Sequence, residues 1–106
     1  IAKLSLQNAI SLSNDLGQSY PSTWQDIVDK MYIPFNESMQ GHPEYDGYSG
    51  EKINQADVIL MQYPLGIQMS KSIAYNDLEY YQRKTRKNGY FTGDNAYSIA
   101  WLGINE

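Results

Sequence analysis

Ala56-Asp57-Val58-Ile59-Leu60-Met61-Gln62-Tyr63 is the stretch on which the fold class turns. Nearly continuous in apolar character, it reads by periodicity equally well as a buried strand or a buried helix. Its neighbours decide. Pro64 and Gly66 break it downstream, and the periodic segments on either side have helical rather than alternating spacing, so a helix is expected here and the chain reads as all-α.

Toward the C-terminus, Asn76-Asp77-Leu78-Glu79 has the form of a capping box and predicts a helix start, leading through Leu78, Tyr80 and Tyr81 to a basic end near Thr85. Asn88-Gly89 reads as a turn. A last helix is expected from Asp94 to Leu102, with Ala96, Ile99, Ala100 and Leu102 on its apolar face and Gly103 as its cap. Toward the N-terminus, residues 33–53 carry Pro34, Gly41, Pro43, Gly47 and Gly50 among Phe35, Tyr45 and Tyr48. That is a long loop too aromatic for a flexible linker, and loops of this kind are often functional. Before it, Ser22-Thr23-Trp24-Gln25 has capping-box spacing, and Trp24, Ile27, Val28 and Met31 share one face, which predicts a helix terminated by Pro34. Ile1, Leu4, Ala9, Ile10, Leu12 and Leu16 fall mostly at three- and four-residue steps and predict a first amphipathic helix ending at Gly17. No fixed-period repeat is visible, which argues against a simple solenoid.

The 106 residues, 42% hydrophobic, set one small domain as the upper limit. A net charge of −4 argues against a nucleic-acid partner, and the dense basic run Arg83-Lys84-Thr85-Arg86-Lys87 reads as a solvated helix end. Without cysteine the chain has neither a disulfide framework nor a thiolate metal site. No apolar run approaches the roughly 20 residues that span a bilayer, so no transmembrane helix is expected. A helical pattern is already under way at Ile1, and another ends just before Glu106; the chain is therefore expected to continue in a longer protein.

Glu44, Asp46 and Glu51 are the carboxylates of the long loop, Tyr45 and Tyr48 its rings, and Asn54 and Gln55 the amides that follow. Ten Tyr against two Phe suit surfaces that are half apolar and half hydrogen-bonding. Two carboxyls flanking a scissile bond, with aromatic faces and amides around them, are the materials of glycoside hydrolysis. The same residues also make a solvated acidic loop over packing tyrosines. His42 is the single histidine; with Glu44 and Asp46 it falls short of a metal-ligand set, so it reads as a hydrogen-bonder within the loop, and no metal or cofactor is expected. Gly-x-Ser-x-Gly is absent and His42 has no evident nucleophile partner, which disfavours serine-hydrolase chemistry. Asn36-Glu37-Ser38 is an N-glycosylation sequon, meaningful in a secretory-pathway protein.

His42-Pro43-Glu44-Tyr45-Asp46-Gly47-Tyr48, followed by Ile53-Asn54-Gln55-Ala56-Asp57-Val58-Ile59-Leu60, resembles glycoside hydrolase family 65, which contains acid trehalases, maltose and kojibiose phosphorylases and hydroxylysine-linked glucosidases. Tyr63-Pro64-Leu65, Asn76-Asp77-Leu78-Glu79-Tyr80-Tyr81 and Thr85 before a glycine turn extend the likeness to roughly half the chain. The resemblance implies that residues 1–106 are one segment of an (α/α)6 toroid, a helical barrel whose loops form a pocket for a terminal glucose. It places the general acid upstream of Ile1 and the general base beyond Glu106, so no catalytic residue is expected within the segment. A Lys-Gln pair contacts glucose in many members; here the pair is Asn54-Gln55, so Gln55 carries over while Asn54 replaces the lysine with a neutral hydrogen-bonding group. Glu51, just before the pair, is a candidate contact for substrate or water, set against loop solvation. The acid-trehalase branch looks most similar, implying inverting hydrolysis of α,α-trehalose to two glucose molecules. Trehalose and the remaining segments of the same enzyme are then the partners, with no nucleic acid and no membrane. The compartment implied is extracellular, cell wall or periplasm, or vacuole, with Asn36 glycosylated. The competing readings are a disaccharide phosphorylase of the same family and a non-catalytic helical module that binds through its tyrosine-rich loop.

Overall fold

Helix formation follows the sequence spacing in both halves of the chain, which a computed structural model describes at residues 1–87 and 94–105. The chain divides into two compact units, Ile1–Ile33 and Pro34–Glu106.

The first unit is a pair of helices, α1 (Ala2–Asp15) and α2 (Ser22–Lys30). As the spacing predicts, α1 stops at Gly17, whose φ of +63° suits a residue without a Cβ. Ile10 and Val28 are the buried hydrophobics of the pair, and Leu12 and Leu16 remain exposed. Two expectations for α2 are corrected. Ser22 is the first helical residue and Pro21 the N-cap, so no side chain caps the helix; Gln25 instead reaches Asp29 Oδ1 at 2.8 Å. Pro21 has extended backbone with φ −60° and ψ 129°, which puts the boundary one residue earlier. Nor does Pro34 end the helix. Met31 is already extended, and its carbonyl accepts from Lys3 Nζ at 2.6 Å.

In the second unit the stretch that turned the fold class is helical, but as a 3-10 helix, Asp57–Met61, with Val58 and Ile59 buried. Tight i→i+3 bonds such as Ile59 N to Ala56 O at 3.3 Å and Gln62 N to Ile59 O at 3.0 Å suit a piece this short. Two longer helices flank its core, α3 (Lys71–Lys84) and α4 (Asp94–Asn105). The expected start of α3 at Asn76 is corrected to Lys71. Ser70 is the N-cap, its hydroxyl accepting from Ile73 N at 3.3 Å, and Asn76 lies in the helix interior, where its Nδ2 donates to Gln40 O at 3.0 Å.

The apolar face of α4 is corrected as well. Tyr97 and Ala100 are buried and Trp101 and Ile104 pack against the core, whereas Ile99 and Leu102 are exposed; Gly103 lies inside the helix rather than capping it. The face is set by two aromatic rings at i and i+4, which bury more area than the aliphatics on the other side. Ala56, Val58, Ile59, Leu78, Tyr81, Tyr97 and Ala100 form one cluster, with Tyr48 and Ile53 brought in from the loop.

Ile53 N donates to Lys84 O at 3.1 Å and Arg86 N to Ile53 O at 2.9 Å, an isolated parallel bridge that joins the loop end to the end of α3. Among the described residues no β-strand forms, and no helix is long and apolar enough to cross a membrane. The expected Asn88-Gly89 turn lies outside the described residues.

Candidate functional site

Asp77 is the anchor of the loop. Ala74, Asp77, Leu78 and Tyr81 share one buried stripe of α3, which carries the carboxylate into the core with no exposed surface. The chain at Gly41 and His42 wraps around it. His42 N donates to Asp77 Oδ1 at 2.7 Å and His42 Nδ1 lies 2.7 Å from Oδ2, so both carboxylate oxygens are engaged by one residue. A Cβ at Gly41 would sit 2.5 Å from Asp77 Oδ1, so only glycine allows this approach. Burial pushes the Asp77 carboxyl above the usual range, against the lowering effect of the two His42 hydrogen bonds. Tyr81, itself fully buried, donates its hydroxyl to His42 O at 2.8 Å, and desolvation drives its phenol well above the ordinary value. Phe35 and the imidazole pack edge to face at a ring separation of 5.3 Å.

Glu44 is a second tie. Its carboxylate accepts from Asp57 N at 2.7 Å and from Val58 N at 3.4 Å, holding the first turn of the 3-10 helix. Burial raises its pKa, offset by those two backbone donors. Glu51 closes the loop on itself: its side chain accepts from the Tyr45 hydroxyl, from Ser49 Oγ at 3.1 Å and from Ser49 N at 3.3 Å, while its carbonyl accepts from the Tyr48 hydroxyl at 2.6 Å. Tyr48 packs edge-on to Tyr80 and tilted over Tyr81, and its phenol is pushed up to about 12, chiefly by desolvation.

The end of the basic run is only partly solvated. Arg83, Arg86 and Lys87 are exposed, but Lys84 donates to Gly50 O at 2.6 Å and lies 5.4 Å from the Tyr80 ring centre, pinning the loop to α3. Gly50 has a φ of +96°, and a Cβ there would meet the Tyr80 hydroxyl at 2.9 Å.

Of the three residues singled out as substrate contacts, Asn54 and Gln55 are exposed on the approach to the 3-10 helix, and Gln55 Nε2 donates to Asp57 Oδ1 at 2.9 Å. Glu51 is exposed too, but its carboxylate is engaged within the loop. A cleft of about 970 Å³ opens elsewhere, lined by Lys52, Glu79, Gln82, Arg83, Arg86 and Lys87 among others; Asn54, Gln55 and Glu51 are not among its walls. Asn36, the sequon residue, is exposed on the turn 36–41. Among the described residues no cluster of three or more His, Asp or Glu could hold a metal.

Asp77 is not among the candidate residues read from the sequence, and Glu44 is named there as a loop carboxylate but not as a tie to the 3-10 helix. Asp77 read as part of a capping box; the available signal was its place on the apolar stripe Ala74, Asp77, Leu78, Tyr81, where a charge requires a partner. Glu44 carried no such signal, because the backbone groups it holds come from a segment distant in sequence. Together the two ties join the three motifs that carry the family likeness: His42 to Asp77, Glu44 to Asp57 and Val58, and Tyr81 back to His42. At the surface beside them stand the amides of Asn54 and Gln55 and the exposed side chains of Asp46 and Asp57, with Gln55 Nε2 bonded to Asp57 Oδ1. Glu44 and Asp77, with their oxygens engaged, form a scaffold rather than an acid–base pair.

The chain is similar to glycosidases. Protein-glucosylgalactosylhydroxylysine glucosidase of Danio rerio is 42% identical over 107 residues, covering 100% of this chain and 16% of that protein. The enzyme of the same name from Dictyostelium discoideum is 41% identical over 94 residues, 89% of this chain and 13% of that protein. A periplasmic acid trehalase of Saccharomyces cerevisiae is 38% identical over 91 residues, 82% of this chain and 7% of that protein. The chain thus spans 16% or less of the length of these relatives. No protein-family model matches, and no solved structure matches.

Proposed function

We propose that the chain is a pocket-wall segment of a family 65 glycosidase that releases a terminal glucose. Its likeness over the whole chain to a glucosidase carries this reading, and the ties from His42 and Glu44 support it, because they fix the loop that presents Asn54 and Gln55. Glucose linked to galactosylhydroxylysine is the preferred substrate, supported by 42% identity over 100% of the chain. Trehalose, the substrate favoured by the motif likeness, is the second reading, supported by 38% identity over 82% of the chain.

Within an (α/α)6 toroid completed by the rest of the protein, residues 1–106 lie between the general acid and the general base. Those two carboxyls stand roughly 6.5–9.5 Å apart in an inverting enzyme, leaving room for the attacking water. Gln55, its amide oriented by Asp57, hydrogen-bonds a glucose hydroxyl; Asn54 supplies a neutral contact and Glu51 steadies the loop beside them. The parent enzyme works in the extracellular space, the cell wall or periplasm, or the vacuole.

The test is an assay of the parent enzyme on glucosylgalactosylhydroxylysine, trehalose and kojibiose, each with and without inorganic phosphate. Glucose release from the hydroxylysine glycoside is the expected result. Release from trehalose alone gives the second reading its place. A phosphate requirement with glucose phosphate as product overturns hydrolysis, and inactivity on all three overturns the glycosidase reading.

A further inference from the structure

Tyr45 is 51% exposed, yet its side chain is held at two points. Its hydroxyl donates to the Glu51 carboxylate, which Ser49 engages in turn through Oγ at 3.1 Å and N at 3.3 Å. Its ring packs edge to face with Tyr48 at a centroid separation of 5.4 Å. Tyr48 is fixed as well, its hydroxyl on Glu51 O at 2.6 Å and its ring against Tyr80 and Tyr81 of α3. The two tyrosines therefore have different tasks: Tyr48 packs on the core, and Tyr45 stands outside it with about half of its surface open. A side chain already ordered by the fold gives up little further rotamer freedom when a ligand settles on it. The position is specific too. Glu44, the residue before Tyr45, accepts from Asp57 N at 2.7 Å, and Asp57 Oδ1 accepts from Gln55 Nε2 at 2.9 Å, so one bonded path joins the Tyr45 segment to the Gln55 amide.

We infer that Tyr45 is the aromatic platform for the second sugar of the substrate, the ring to which the terminal glucose is attached. The inference rests on the glycosidase reading proposed above, with the terminal glucose at Gln55. A pyranose has hydroxyls at its rim and a face of C–H groups, and the aromatic ring takes the apolar face while amides take the rim. Tyr45 and Gln55 lie at opposite ends of the bonded path, so a glucose held by Gln55 leaves the aromatic ring to the neighbouring sugar. The phenol hydroxyl is committed to Glu51, and the contribution to binding comes from the ring itself. Glu51 is then a positioning residue, acting on the sugar through the tyrosine that it holds.

The experiment uses the parent enzyme and two substrates that share the terminal glucose: glucosylgalactosylhydroxylysine, or trehalose if that is the glycoside hydrolysed, and α-glucosyl fluoride, which has no second ring. Y45A is expected to lower kcat/KM on the two-sugar substrate about tenfold more than on the fluoride, chiefly through KM. Y45F, which keeps the ring, is expected to stay within about threefold of the original on both. Equal losses on the two substrates, no loss on either, or a Y45F as impaired as Y45A overturns the platform alone. A parent enzyme inactive on both substrates overturns the glycosidase reading and the platform with it. Melting curves accompany the kinetics; should Y45A fail to fold, Y45L, which keeps apolar bulk without an aromatic face, takes its place with the same expected ratio.

Discussion

At Asp77 a single carboxylate receives the main-chain and side-chain nitrogens of His42, and removing it leaves two groups without partners. We therefore expect Asp77→Ala to destabilise the parent protein by roughly 2–4 kcal/mol, read as a lower denaturation midpoint in urea. Asp77→Asn, which keeps an acceptor for His42 N, should lose less. Gln55 stands at the other extreme: it is exposed, and the proposed function gives it a contact with the sugar rather than a part in the fold. Gln55→Ala in the intact enzyme is expected to raise KM or lower kcat on the order of tenfold, one hydrogen bond's worth, with little change in stability. Steady-state kinetics beside a melting curve separates the two effects, and unchanged kinetics removes Gln55 from the pocket. The hydrogen-bonding role of His42 is legible from a lone histidine in a loop without metal partners. Its partner is not, because pairing across 35 residues is decided by packing.

Among the elements, α3 depends on Ser70. Ser70→Ala removes the acceptor for Ile73 N, and the expected cost is about 1 kcal/mol, measurable as a drop in Tm. Three- and four-residue spacing makes α1, α2 and the interior of α3 visible in the sequence. The start of α3 is hidden because Ser70 has no acidic residue three positions on, whereas Asn76-Asp77-Leu78-Glu79 imitates a cap from inside the helix. The face of α4 is misread for a related reason. Counting only aliphatics selects Ile99 and Leu102, while Tyr97 and Trp101 turn inward; Tyr97 finds a partner for its hydroxyl in Thr85 Oγ1 at 3.2 Å. The 3-10 form of Asp57–Met61 is likewise a matter of anchoring, since Glu44 holds its first turn and periodicity carries no trace of that contact.

For the molecule as a whole, phenols that are wholly or partly buried give the second unit an alkaline limit. Tyr48 and Tyr97 are pushed up to about 12, mainly by desolvation, from an ordinary value of 10.0. Between those pH values an unfolded chain has lost protons that the folded one keeps, so stability falls as pH rises through the window. Denaturation midpoints measured across it should decline, and Tyr97→Phe should flatten the decline. The first unit is poorer in core. Ile10 and Val28 are its buried hydrophobics, while Ile1, Leu12, Leu16 and Ile27 stay exposed, as in helices that depend on neighbours to cover them. The loop has a different economy. It is fastened to α3 at Gln40, His42, Gly50 and Ile53, and none of these attachments involves Asn54. Residue 54 is thus an exposed tip on a fixed mount, and the mount makes no demand on which side chain stands there. A substitution at residue 54 is therefore expected to leave the denaturation midpoint unchanged and, if the proposed pocket role holds, to change sugar preference alone.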